Sequence, residues 1–445
     1  MSMSVMPRTP LLLSRRQLLR MLGLTGVAGF GATVAGGCAG ADPDAAAPAV
    51  GAVPTALPPA VRTKADAAAP RSLVVIELEG GHDGFAMLVP YGDARFRRLR
   101  DHIWVDPKDL HVLDDRYALA KGLAPVEKNL AFVEGVGVAK PDLSHSAMLQ
   151  RWWHGDPEGS RGLLTGFLGR CCDAALGAEP VTGVSIGGGS TPSLGSSKAT
   201  TVSLPKLDAI RDLMKDEPEQ RRLRTALATV AGGRGGVGDP ASDAWFDLAR
   251  AGLRAGLDLS KMIGGVTGED ARYPQGNDLG AALASVRQLI SAGSGVRVFH
   301  IPWGDFDTHT NEVGTHTDHM NRLGVALAAF RDDLAAHGLS DRVLVATTSE
   351  FGRRPEANGG GTDHGTASTM LLMGSVTSGR HGLPVDFARL DENGNAKATV
   401  SMADYYVTLA GWLGVRPEDA MAGVQGSVIA SLGAAAKVTA PARVA

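Results

Sequence analysis

The chain has 445 residues, 44% of them hydrophobic and 20% charged, with 58 glycines and a formal charge of −3. That length holds one large α/β domain or two or three ordinary ones, with apolar content enough for a sizeable core. Arg8, Arg15, Arg16 and Arg20 are the only charges in the first 41 residues, so removing four positive charges leaves −7 for the rest. A mildly acidic body disfavours nucleic acid as a partner, and three cysteines exclude a disulfide scaffold.

In chain order, Ser14-Arg15-Arg16-Gln17 precedes a weakly apolar, glycine-rich run that reaches Ala41. Paired arginines ahead of such a run mark a twin-arginine export signal over residues 1–41, with the export machinery as a partner. Arg20 and the glycines make the run too polar and too short for an anchor helix. Gly36-Gly37-Cys38 offers a lipidation site at Cys38, the one route to a membrane tether, and Ala39-Gly40-Ala41 offers an ordinary cut instead. Residues 42–70 are mostly Ala, Pro, Val and Asp, which reads as a disordered spacer.

The body, residues 71–433, alternates short apolar runs with longer amphipathic ones. Strands are predicted at Leu73–Leu78, Ala131–Val136, Val181–Ile186, Val296–Ile301, Val343–Thr347 and Thr369–Met373. Helices are predicted at Ser146–His154, Leu163–Ala175, Leu279–Ser291, Thr317–His337 and Met402–Leu413. The alternation indicates a doubly wound α/β fold: a mainly parallel sheet with helices on both faces. The stretch 204–263, broken by glycines 232–238, reads as a helical insertion, and residues 434–445 as a flexible tail. Adjacent Cys171 and Cys172 fall in a helix and read as buried thiols.

Ligands of open parallel sheets gather beyond the carboxyl ends of the strands, and five polar loops lie there. They are Gly80-Gly81-His82-Asp83-Gly84, Ser144-His145-Ser146, Gly304-Asp305-Phe306-Asp307-Thr308-His309, Ser349-Glu350-Phe351-Gly352-Arg353 and Gly361-Thr362-Asp363-His364-Gly365. Their carboxylates and imidazoles suit one or two divalent ions of zinc, manganese, magnesium or iron. The metal candidates are Asp83, Asp305, Asp307, His309, Glu350, Asp363 and His364; taken singly, Asp305, Asp307 and Asp363 read first as turn or cap residues, and it is the set that favours a metal. Ser144 at a helix start, with His145 beside it, is a candidate nucleophile or a plain N-cap. Arg353 can clamp a phosphate or sulfate oxygen or neutralise Glu350. His316 and His319 read as a solvated helix face in preference to a second metal site. Gly183-Val184-Ser185-Ile186-Gly187 spells the nucleophile-elbow pattern, but the serine lies inside a strand-like run and no helix follows it.

These landmarks, with Val89-Pro90-Tyr91 and Leu143-Ser144-His145 leading to Trp153, resemble a bacterial family catalogued as domain of unknown function 1501. That family is related to the alkaline phosphatase and sulfatase superfamily. The resemblance runs from Leu73 to about Gly414 and implies an alkaline phosphatase-like fold. It implies Ser144 as nucleophile, Asp307, His309 and His364 as ligands of one ion, and Glu350 and Asp83 serving another. The chain departs from the superfamily in carrying Ser349-Glu350 where the enzymes have Asp-His, and in a shorter Asp307-Thr308-His309. The Cys-x-Pro-x-Arg of formylglycine sulfatases is absent. The expectation is an exported, metal-dependent hydrolase of phosphate or sulfate esters, small or polymer-borne; the alternative is a non-catalytic binding or assembly protein on the same fold.

Overall fold

The computed structural model describes residues 70–175, 181–205, 212–233, 240–264 and 272–433. The expected export leader, Cys38, the expected spacer up to Ala69 and the tail from Ala434 lie outside the described residues. Among those described, no helix is long and apolar enough to cross a membrane.

The strands are β1 (Ser72–Leu78), β2 (Leu88–Val89), β3 (His111–Val112), β4 (Ala118–Leu119), β5 (Leu130–Gly137), β6 (Val181–Ile186), β7 (Thr200–Leu204), β8 (Val298–Trp303), β9 (Val343–Thr348), β10 (Gly352–Asn358), β11 (Gly361–Gly365), β12 (Ser368–Met373), β13 (Gly379–Gly382) and β14 (Val400–Ser401). The helices used below are α1 (Gly84–Met87), α2 (Ala94–Leu99), α3 (His145–His154), α4 (Phe167–Ala174), α5 (Pro218–Gly232), α6 (Pro240–Gly264), α7 (Asp278–Ser291), α8 (Glu312–Ala336) and α9 (Met402–Leu413).

The main sheet runs β13-β5-β12-β9-β1-β8-β6-β7, with β14 also on β5. Its centre is parallel: β1 pairs with β8 and β9, and β6 with β8 and β7. Only β12 runs against its neighbours β9 and β5. The chain returns from β9 to β12 through the β10–β11 hairpin, and antiparallel neighbours need no crossover helix. Because β12 is reversed against both, β5 points the same way as β9.

All seven residues of β1 are buried, and they alternate between two cores. Val74, Ile76 and Leu78 pack with Leu279, Leu283, Leu323, Leu327 and Phe330 of α7 and α8. Leu73 and Val75 pack with Met148, Trp152, Phe167, Tyr405 and Leu409 of α3, α4 and α9. Each such side chain contributes about 1.5–3 kcal/mol by leaving water, so a strand buried on both faces reads as a continuous apolar run. Gly155 ends α3 in a left-handed conformation, its N–H capping the carbonyls of Arg151 and Trp152.

Two expectations change. Leu204 belongs not to a helical insertion but to the edge strand β7. The described helices beyond it, α5 and α6, pair through Leu227, Ala231, Leu253 and Leu257, and Leu259 of α6 joins the main core. His316 and His319 are buried, not solvated.

Candidate metal centre

Since β1, β5, β8 and β9 point one way, the loops that follow them open on one rim. Gly80 makes their meeting sterically feasible. Its φ is +109°, and a Cβ there would lie 2.5 Å from the backbone nitrogen of Asp307. The loops after β1 and β8 therefore touch backbone to backbone. Arg353, fully buried, ties them together: it donates to the carbonyls of Gly80, Gly81, Phe306 and Thr362 and to Oδ1 of Asp307 at 2.7 Å.

Around Asp307 stand three imidazoles. Nε2 of His364 lies 3.1 Å from its Oδ1, Nε2 of His309 3.0 Å from the same oxygen, and Nε2 of His145 3.5 Å from Oδ2. Nε2 of His309 and of His364 are 3.1 Å apart. The other ring nitrogens point to acceptors. Nδ1 of His364 donates to the Leu143 carbonyl at 2.8 Å, and Nδ1 of His145 to Glu350 at 2.9 Å. Nδ1 of His309 faces Asp363 at 3.5 Å. A nitrogen that donates to a carbonyl carries the ring's proton, so Nε2 of His364 turns its lone pair toward Nε2 of His309 and a carboxylate. A cation reconciles such a cluster, as does an N–H on Nε2 of His309 directed at Asp307 and His364. Ligand atoms of one tetrahedral ion with bonds near 2.0–2.2 Å stand about 3.3 Å apart, which is close to the spacing of the His309, His364 and Asp307 atoms. One atom each from His145, Asp307 and His364 fits within 4.8 Å of the others.

The electrostatics agree. Burial works to raise the Asp307 carboxyl, but hydrogen bonds from Arg353 and His364 outweigh it and hold it down to about 2. The carboxylate is thus ionised, and it is open to solvent on its outer side. Glu350 is buried and accepts from Gly80 N–H at 2.9 Å as well as from His145. A carboxylate behind a histidine fixes its tautomer and raises its basicity toward an ion. Phe351 packs on both His145 and His364, 5.0 and 4.3 Å between ring centres. Leu143 presents its carbonyl from a left-handed backbone, φ 62°, a conformation costing about 1–3 kcal/mol away from glycine.

Of the residues singled out in the sequence, His145, Asp307, His309 and His364 converge. Glu350 and Asp363 stand behind them, each facing a histidine nitrogen and not the common point. Asp363 is also held by the Asn358 amide. His145, read from the sequence as catalytic, stands in this same cluster, its Nε2 3.5 Å from Asp307. Asp305 is exposed and near Glu79 and His319, whose ionisation it perturbs; it makes no contact with the cluster. Arg353 has no surface and its donors go to protein acceptors, so it cannot clamp a substrate oxyanion; the acid it neutralises is Asp307, not Glu350. Ser144 is the N-cap of α3, exposed, but its hydroxyl donates to Asp142 at 2.5 Å and makes no helix-capping bond.

Asp83 is the clearest correction. It turns away from the rim to cap α1 and to take Arg100 through both oxygens, at 2.5 and 3.2 Å. Arg100 also reaches Glu312 at 3.3 Å, and Glu312 accepts from Thr362. A guanidinium occupies the position where an ion was expected. Beside this pair, Nε2 of His82 and of His316 face each other at 3.3 Å. Burial, with the neighbouring imidazole adding, pushes His82 well below the usual histidine range, and burial pushes His316 down to about 4. The periodic stripe His316, Met320, Leu323, Leu327 foretells that burial. Burial also raises both cysteine thiols, Cys171 to about 12, and Ser185 is buried inside β6 against His300, not on an elbow.

A family described as a protein of unknown function, DUF1501, matches residues 250–440. Comparison with curated proteins finds no match. Among solved structures the chain is similar to Ps i-CgsB in complex with k-i-k-neocarrahexaose: 12% identity, 81% of this chain and 75% of that one, TM-score 0.39. It is also similar to the PsFucS1 sulfatase from Pseudoalteromonas sp., with 10% identity over 78% and 68% of the two chains and a TM-score of 0.34. A third is TAB5 alkaline phosphatase, with 11% identity over 68% and 91% and a TM-score of 0.29.

Proposed function

We propose that the chain is an exported, metal-dependent hydrolase of phosphate or sulfate esters that works with one divalent ion. The observation that carries this reading is the convergence of three imidazole nitrogens on Asp307, each ring's other nitrogen facing an acceptor. His145, His309, His364 and Asp307 would hold the ion. Three nitrogens and one oxygen suit zinc, or iron and manganese, better than magnesium, which prefers oxygen. When bound, the ion supplies Lewis acidity to an ester oxygen and positive charge to hold an anion.

The chain's own groups do the rest. Glu350 fixes His145, Arg353 fixes Asp307, and the Leu143 carbonyl fixes His364. Ser144, one residue before a ligand and at the amino end of α3, is the nucleophile, its hydroxyl held by Asp142. Arg354 replaces Arg353 as the guanidinium for the ester: it is partly exposed, and its Nη1 stands 4.0 Å from Asp363. Delivery by the twin-arginine machinery follows from the leader and belongs to the same proposal.

The second reading, a binding or assembly protein holding one ion, draws support from Asp83. With Arg100 locked on it and Glu350 spent on His145, the residues for a second ion are committed elsewhere. Metal analysis of purified protein, with turnover of aryl phosphate and aryl sulfate, tests both. One ion per chain with turnover lost in Asp307→Ala supports the hydrolase. One ion without turnover of either ester supports the binding protein, and no ion removes both.

A further inference from the structure

Three strands carry polar side chains on a face that is otherwise apolar. Glu77 of β1 is buried and accepts from Nε2 of His300 on β8 at 2.6 Å. Nδ1 of His300 meets the Ser185 hydroxyl of β6 at 3.2 Å. The same Glu77 takes the indole N–H of Trp153 through both oxygens, each at 3.0 Å. A buried polar string of this kind is commonly no more stable than an apolar replacement, so its worth is to be sought in fixing a geometry.

Trp153 shows what is fixed. His145, Leu149 and Trp153 follow at intervals of four along α3 and share one face. That face lies over a small internal cavity lined by Glu77, His300, Ser349 and Glu350. At the amino end of the face, His145 is held by Glu350; eight residues on, Trp153 is held by Glu77. The helix backbone is separately tied at its carboxyl end, where Tyr406 and Arg170 donate to the carbonyls of Trp152 and His154. Those bonds hold the end of the axis in place; a bond from a side chain on the His145 face also sets the rotation of the helix about that axis.

We propose that Trp153, held by Glu77 and His300, is a positioning residue that sets the rotation of α3 and so aims His145 at Asp307 and His364. The proposal rests on the metal reading above. A few degrees of rotation swing the His145 nitrogen by a fraction of an ångström, and supporting shells of this kind commonly change metal affinity about 10–100-fold.

The test is titration of the chelator-stripped full chain with Co²⁺, read by its visible absorption, in wild type, Trp153→Phe, His145→Ala and the double variant. Phe keeps an aromatic ring but removes the N–H donor together with the rest of the five-membered ring, so Glu77→Gln, which leaves the indole whole, is read beside it. Trp153→Phe should weaken Co²⁺ by about 10-fold or more and change the band shape, while adding nothing once His145 is absent. Glu77→Gln, which keeps an acceptor for the indole, should fall between wild type and Trp153→Phe. It carries the same comparison if Trp153→Phe does not fold. An unchanged Co²⁺ affinity in Trp153→Phe, or an equal loss with His145 present and absent, overturns the positioning role alone. Wild type that takes up no Co²⁺ overturns the metal reading and this one together.

Discussion

Two clusters of acids and histidines flank the Gly80–Gly81 turn, and they resolve their charge differently. In the inner one, Asp83 and Glu312 share a guanidinium, and His82 and His316 are held neutral by burial. Every charge there has an internal partner. In the outer one, Arg353 answers half of Asp307, and three imidazole nitrogens crowd the same carboxylate with solvent on the far side. Like residue types give a closed structural knot in one place and a candidate ion site in the other. The difference lies in which cluster the chain supplies with its own cation.

The sharpest way to break this contrast is to delete one acid from each. Asp307→Ala should lower ion affinity by more than about 100-fold, beyond what outer-shell changes cost, as read by metal content after dialysis. Asp83→Asn should leave the ion content intact yet cost about 3–5 kcal/mol, since it strands a buried Arg100; urea unfolding reads this. Ion loss in Asp83→Asn, with the fold retained, would show the inner cluster to be part of the metal site after all. Arg353→Leu belongs to both sides, leaving four carbonyls short of a donor. It should cost several times the roughly 1–3 kcal/mol of one unmade buried bond and lower ion affinity as well.

Smaller effects sharpen the picture. Arg354→Ala should raise KM for an aryl phosphate several-fold with kcat little changed, as loss of uniform binding would; a fall in kcat alone would place Arg354 elsewhere. The inner cluster also predicts a pH dependence. His82 and His316 have folded values below their unfolded ones, so the unfolded chain binds more protons below about pH 6.5, for His316 down to about 4. Their contribution is complete above about 6.5 and fades as pH falls through the folded values. Glu312, raised by burial and by Asp83, acts oppositely: its contribution is present at low pH and fades as pH climbs above the ordinary glutamate value. His316→Asn should therefore flatten the acid limb of stability against pH; an unchanged limb would show that His316 does not titrate there.

Much of this was legible in the sequence because burial on both faces writes itself as an uninterrupted apolar run. β1, β5, β6, β8, β9 and β12 were read that way. β7, with threonines and a serine, and the polar β10–β11 hairpin carry no such run and were missed. The rim loops were legible too, since sheet order does not matter once strands point one way. What the sequence hid was partnership. Whether Asp83 meets an ion or Arg100 depends on where α2 packs, and no spacing encodes that. Glu77 and His300 did leave a trace, as ionisable residues inside apolar strands, which is the signal that points to the string under α3.

The latch formed by Arg353 has a consequence for how the protein assembles. Its carbonyl partners at Gly80 and Gly81 are separated from it by more than 270 residues of chain, and that at Phe306 by 47. No fragment made during synthesis holds all of them until the hairpin has emerged, and long-range closures of this sort come late in folding. β1 and β9 pair across the same span, Ser72 with Val343, and β12 follows Arg353 in the chain, so the rim and the centre of the sheet beneath it close together.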